Sequence, residues 1–146
     1  MSRLSFLALQ WLPVALWAAL IFAFSAQPNL RIAQADSLDF VLRKAGHMFV
    51  FGVLSVLLWR ALSSAGVRRA IVSSWVLTVA YAASDEFHQS FTQGRHPSPV
   101  DVGIDASGAV IALCILVLWL RGGGAGSRPE ASRPVATRQP PADPGC

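Results

Sequence analysis

Residues 83–105, ASDEFHQSFTQGRHPSPVDVGID, gather four carboxylates (Asp85, Glu86, Asp101 and Asp105) with His88, His96 and Arg95. A shorter stretch upstream, RKAGH at residues 43–47, adds Lys44 and His47. Adjacent carboxylates with an imidazole are the groups that pass protons to and from a substrate, so His47, Asp85 and Glu86 are the candidate acid–base residues. Glu86 could activate a water. Ser84 and Ser90 flank the carboxylates but stand in no recognised nucleophile context, so a covalent intermediate is not expected. Lys44 would meet a phosphate or carboxylate as a point charge, and Arg95 would do so in bidentate fashion. Gln89 would orient that ligand, with Asp101 and Asp105 completing the ligand-binding set. A zinc reading of His47, Asp85, His88 and Asp105 matches no ligand spacing of known zinc motifs, so neither a metal nor another cofactor is expected.

The elements that must position these groups are apolar. The chain has 146 residues, 53% hydrophobic and 14% charged, with five Trp and eight Phe. A soluble domain carries about 25% charged residues, and the mean hydropathy here is +0.48. The composition is that of a small integral membrane protein. The net charge of +4 does not point to nucleic acid, because the basic residues form neither a long cluster nor a polar helix face. They sit instead at the ends of apolar runs, where positive charge sets membrane topology. Cys114 lies inside an apolar run and Cys146 in the tail, so no disulfide is expected.

Four apolar runs cover residues 4–24, 41–62, 70–91 and 100–120, each near the ~20 residues that cross a bilayer. The first is too long for a signal-peptide core and reads as an uncleaved helix that tolerates Pro13. Residues 27–40 form a polar loop in which Asp36 to Asp39 could begin a short surface helix. Residues 63–69 form a tight turn, and residues 92–99 a loop with Pro99 suited to helix entry. From residue 122 the chain is rich in Gly, Pro, Arg and Ser and is expected to be disordered. The expected fold is therefore all-α: an integral membrane four-helix up-down bundle over residues 1–121, with a disordered tail over 122–146.

An even number of spans places both termini on one side. Arg3, Arg60, Arg68, Arg69 and Arg121 mark that side as cytoplasmic by the positive-inside rule. Along their helices, at ~1.5 Å per residue, His47 stands about 20 Å from Arg60, Asp85 about 24 Å from Arg69 and Asp105 about 24 Å from Arg121. In a hydrocarbon core about 30 Å thick, three helices thus carry ionisable groups at one level, near the outer interface. At about 100° per residue, Lys44, His47 and Phe51 share a face, as do Asp85 and Gln89, and as do Asp101, Asp105, Gly108 and Ala112. The polar groups are expected to converge in an outward-facing pocket, with the small residues of the last stripe allowing close helix packing.

Plainer readings compete. Lys44 could pair with Asp85 and merely fix the helices. Asp101 could be only the N-cap of the last helix. Arg95 could lie near lipid phosphates and Lys44 could snorkel outward. His96, Ser25 and Gln27 read as incidental. Intramembrane ionisable groups are nonetheless a functional expectation by default.

The segments RKAGHMFVFGVLSVLL (43–58), SDEFHQSFTQGR (84–95) and VDVGIDASGAV (100–110) together resemble the VanZ-like family of small membrane proteins. The family pattern has Lys and His three apart, then Asp-Glu-x-x-Gln, a Gly-Arg, and Asp-x-x-x-Asn-x-x-Gly. It falls here on Lys44, His47, Asp85, Glu86, Gln89, Gly94, Arg95, Asp101 and Gly108. Asp105 stands where the family has Asn. The resemblance implies a four-helix membrane protein and a link to glycopeptide (teicoplanin) resistance.

The expected function is that of a multi-pass protein of the bacterial inner (cell) membrane, with both termini cytoplasmic. It would bind or modify an envelope ligand, either a membrane lipid or a lipid-linked envelope precursor. The alternatives are an intramembrane hydrolase or transferase using the paired carboxylates and His47, and a structural membrane partner.

Overall fold

The computed structural model describes residues 3–27, 36–92 and 98–123. The expected loop residues Gly94, Arg95 and His96, and the tail from residue 124, lie outside the described residues. Four helices follow one another: α1 (Arg3–Ser25), α2 (Asp36–Ser64), α3 (Ala70–Gln89) and α4 (Pro99–Gly123). They form an all-α up-and-down bundle. The Asp36–Asp39 segment is the first turn of α2 rather than a separate surface helix. Hydropathy falls at these polar residues, but helical backbone bonding continues through them. The proposed boundary at residue 121 falls within the last turn of α4.

Three helices, α1, α2 and α4, are long and apolar enough to cross a membrane. Residues 70–89 do not meet that measure as α3. Its inner stripe is polar and its last turns hold Asp85, Glu86, His88 and Gln89. The buried face of α3 recurs every four residues or so, as Ala70, Ser74, Thr78, Ala82, Asp85 and Gln89. Ser74 and Thr78 satisfy themselves by donating to Ile71 O and Ser74 O of their own helix, each at 2.8 Å. The polar side chains of this buried stripe are thus shielded by protein rather than faced to lipid.

Packing centres on α2, which touches all three other helices, while α1 is not packed against α4 among the described residues. The core is made by Val14, Ile21, Phe51, Leu54, Leu58, Ala61 and Ala82. Long apolar side chains such as Leu12, Leu16, Phe24, Phe49, Leu118 and Trp119 point outward, over a far larger surface than a soluble monomer leaves bare. They are suited to lipid.

The α2–α4 contact is the tightest. A β-carbon on Gly108 would sit 2.7 Å from Met48 Cα, and one on Gly52 would sit 3.2 Å from Ala112 Cβ. The small stripe expected on α4 is therefore the seam along which α2 lies. Two further polar ties cross helices: Trp17 Nε1 donates to Val50 O at 2.9 Å, and Tyr81 OH donates to Ala18 O at 2.7 Å. At the opposite end of the bundle, α2 stops at Gly66, whose φ of 80° suits glycine. Gly66 N donates to Ser63 O and Val67 N to Leu62 O, which closes the helix in a Schellman motif and turns the chain into α3.

Candidate functional site

The antiparallel order brings the end of α1, the start of α2, the end of α3 and the start of α4 together. Every described residue singled out in the sequence for chemistry lies at this end. Phe51, about four turns into α2, forms the apolar floor: it is fully buried, its ring 6.2 Å from the His47 ring.

Asp85 is buried and held by two donors. Ser25 Oγ donates to Oδ1, and Gln89 Nε2 donates to Oδ2 at 2.9 Å. Gln89 lies one turn on from Asp85, so the helix itself sets that second bond. Glu86 is also buried, and its Oε2 accepts the backbone N–H of Ser98 at 3.0 Å. That bond ties the end of α3 to the entry of α4.

Lys44 forms an ion pair with Asp101, and its Nζ lies 5.3 Å from the centroid of the Phe40 ring. The pairing of Lys44 with Asp85 considered from sequence is therefore corrected. Asp85 is deep and already bonded, whereas Asp101 stands beside Lys44 near the surface. Asp101 is also not the N-cap. Ser98 takes that place, its Oγ accepting from Val100 N at 3.2 Å, and Pro99 opens the helix as expected. Asp101 falls in the first turn, where a negative charge favours the helix dipole.

His47 Nδ1 lies 3.4 Å from Oδ1 of the buried Asp105. Among the described residues, Asp105 Oδ2 accepts no hydrogen bond. His88 is not part of the cluster, because its ring stacks on Phe22 of α1 with centroids 4.0 Å apart. Ser84 and Ser90 donate to carbonyls of their own helix, Tyr81 O and Phe87 O. Among the described residues no group of three or more His, Cys, Asp or Glu is arranged to hold a metal ion.

The cluster has two levels. Asp85, Glu86, Gln89 and Asp105 are buried, while the side chains of Lys44, Asp101 and His47 remain about a quarter exposed (26%, 25% and 27%). The exposed trio can meet a ligand, and the buried set fixes their helices. The described groups carry four carboxylates against Lys44 and His47, so this end is acidic, with Arg95 outside the described residues. Ser25 was read as incidental because a hydroxyl ending an apolar helix looks like a boundary residue. Its depth near the other polar groups was the available signal. Beside the cluster, an apolar groove of about 610 Å³ opens between α2 and α4, beginning at Met48 and Gly108 and running to Trp119.

Fold and cluster together define a small helical membrane-protein fold with ionisable groups massed at one end of the bundle. The chain belongs to the VanZ/LLP1 family, whose pattern it matches over residues 6–120. No curated protein and no solved structure matches it.

Proposed function

We propose that this VanZ-family protein sits in the bacterial inner membrane with both termini in the cytoplasm, and that the polar end of the bundle faces outward to bind an envelope ligand lodged in the outer leaflet. The observation that carries this reading is the convergence of side chains from all four helices, Ser25, Lys44, His47, Asp85, Glu86, Gln89, Asp101 and Asp105, at one end of an otherwise apolar bundle. Burying such groups costs stability unless they are fully paired, and ionisable groups kept inside a membrane bundle point by default to a functional site. The ligand is a membrane lipid or a lipid-linked envelope precursor. Its polar head would meet Lys44, His47, Asp101 and Arg95, with Gln89 and Asp85 beneath. The α2–α4 groove starts next to His47 and gives an apolar chain a path along the bundle.

The proximity of His47 to Asp105 supports a second reading, an intramembrane hydrolase or transferase. A carboxylate beside Nδ1 would fix the imidazole tautomer and leave Nε2 to exchange a proton with ligand or water. Glu86 and Asp85 would then supply the acid or the water-activating group.

The family points to glycopeptides as the first phenotype to test. Teicoplanin susceptibility is measured in a bacterium expressing wild type or Asp85→Asn, with membrane levels matched. A rise in inhibitory concentration with wild type alone ties resistance to the polar end. If neither variant changes susceptibility relative to a strain without the protein, the antibiotic is removed from the proposal.

A further inference from the structure

The end of the bundle opposite the polar cluster carries Arg60, Arg68, Arg69 and Arg121, and no described carboxylate forms an ion pair with any of them. Arg68 and Arg69 line a cavity of about 650 Å³ with Trp59, Ser63 and Gly66. Arg69 also stands at the N-cap of α3, where no side chain caps the helix. The amides of the first turn of α3 therefore add positive field to the same cavity. Ile71 and Val72, in that first turn, line a second cavity as well: an apolar groove of about 500 Å³ between α3 and α4, with Arg121 at its mouth. A basic chamber and an apolar groove thus meet along one turn of helix. From Arg121 to its far lining residue Val110 the groove runs about 16 Å at the α-helical rise. That is half of a hydrocarbon core about 30 Å thick, the depth of one leaflet.

We propose that this composite cavity holds a phospholipid with an anionic headgroup. Its phosphate rests against Arg68 and Arg69 at the start of α3, and one acyl chain lies in the α3–α4 groove. Charge selects the headgroup, because arginine matches phosphate geometry and, among the described residues, no acid pairs with these arginines. Groove length selects the occupant. At about 16 Å it accommodates an acyl chain from one leaflet.

The test uses the full-length protein in nanodiscs made of phosphatidylglycerol and phosphatidylcholine with identical chains, and native mass spectrometry of the lipid retained on release. Wild type is expected to keep phosphatidylglycerol in preference to phosphatidylcholine. Arg68→Gln/Arg69→Gln should reduce that preference roughly tenfold. Arg60→Gln, outside both cavities, should leave it unchanged. Cys114→Trp, or Val72→Trp as a second filler, keeps every charge but should expel the lipid. All of these positions are exposed, so wild-type unfolding midpoints in detergent are expected and are measured in parallel. Equal retention of the two lipids by wild type, an equal loss with Arg60→Gln, full retention with both fillers, or capture of a polypeptide in place of lipid would each overturn the proposal.

Discussion

Ser25 and Asp85 stand 60 residues apart in the chain, yet the hydroxyl of one meets the carboxylate of the other inside the bundle. Removing the hydroxyl leaves a buried carboxylate oxygen without its donor. Ser25→Ala is therefore expected to cost about 1–3 kcal/mol, read as a lower unfolding midpoint in detergent. Asp85→Asn keeps an acceptor for Ser25, and Gln89 can turn its amide to accept from the new NH2. It should fold close to wild type, which makes its functional phenotype interpretable. The Lys44–Asp101 pair gives a second residue-level prediction. Both side chains are about a quarter exposed, so the pair contributes only about 0.5–1 kcal/mol. Lys44→Asp should place like charges together and lower the midpoint. Adding Asp101→Lys should restore it, whereas adding Asp85→Lys should not. A double-mutant cycle measures this coupling, and equal rescue by Asp85→Lys would reject the observed pairing. Depth and helical angle were enough to bring Lys44, His47, Asp85 and Asp105 together from sequence. They were not enough to assign partners, because level and face leave several groups within reach. Distance from the surface decides: Lys44 reaches the quarter-exposed Asp101, while Asp85 lies lower and takes Ser25 and Gln89.

At the level of elements, the glycines of α4 separate by what surrounds them. A methyl group on Gly108 would strike the Met48 backbone, and backbone cannot swing aside as a side chain can. Gly108→Ala should force α2 from α4 and destabilise by about 1–3 kcal/mol or more, read as loss of monodisperse protein after extraction and a lowered midpoint. Gly103 has nothing within 4 Å of such a methyl. Gly103→Ala should be neutral or stabilising by up to about 1 kcal/mol, since alanine is the better helix former. A similar loss at both positions would show that the seam is not where α2 and α4 are locked. The small stripe at residues 108 and 112 was legible in the sequence because small residues repeat at helical spacing. The start of α2 was less so. A hydropathy profile places it near residue 41, where the apolar run begins, while Asp39 is buried and bonds Arg43 within the helix, Arg43 Nε donating at 2.8 Å. Hydropathy marks where lipid begins, and backbone hydrogen bonding marks where the helix begins.

For the molecule as a whole, the arrangement is a bundle with unlike ends, acidic and hydrogen-bonded at one and arginine-rich at the other. Among the described residues the carboxylates Asp39, Asp85, Glu86, Asp101 and Asp105 all lie toward the first end, while Arg60, Arg68, Arg69 and Arg121 lie toward the second. Positive charge near helix ends is retained on the cytoplasmic face during insertion, so this asymmetry predicts one orientation. It can be read with single cysteines placed in a chain whose Cys114 and Cys146 are replaced by serine. Ser90, exposed just after α3, and Ser64, exposed at the end of α2, sit at opposite ends of the bundle. In intact cells, a membrane-impermeant maleimide should label Ser90→Cys and leave Ser64→Cys unlabelled until the membrane is opened. The reverse result would turn the polar cluster toward the cytoplasm. In that case its partner could not be an outer-leaflet ligand, and the arginine cavity would face the exterior leaflet. Labelling of both sites from outside would contradict an odd number of crossings between them. That outcome would bear directly on α3, the one helix too polar to cross by composition alone. Its crossing depends on α2 and α4 covering the face that holds Ser74, Thr78 and Asp85.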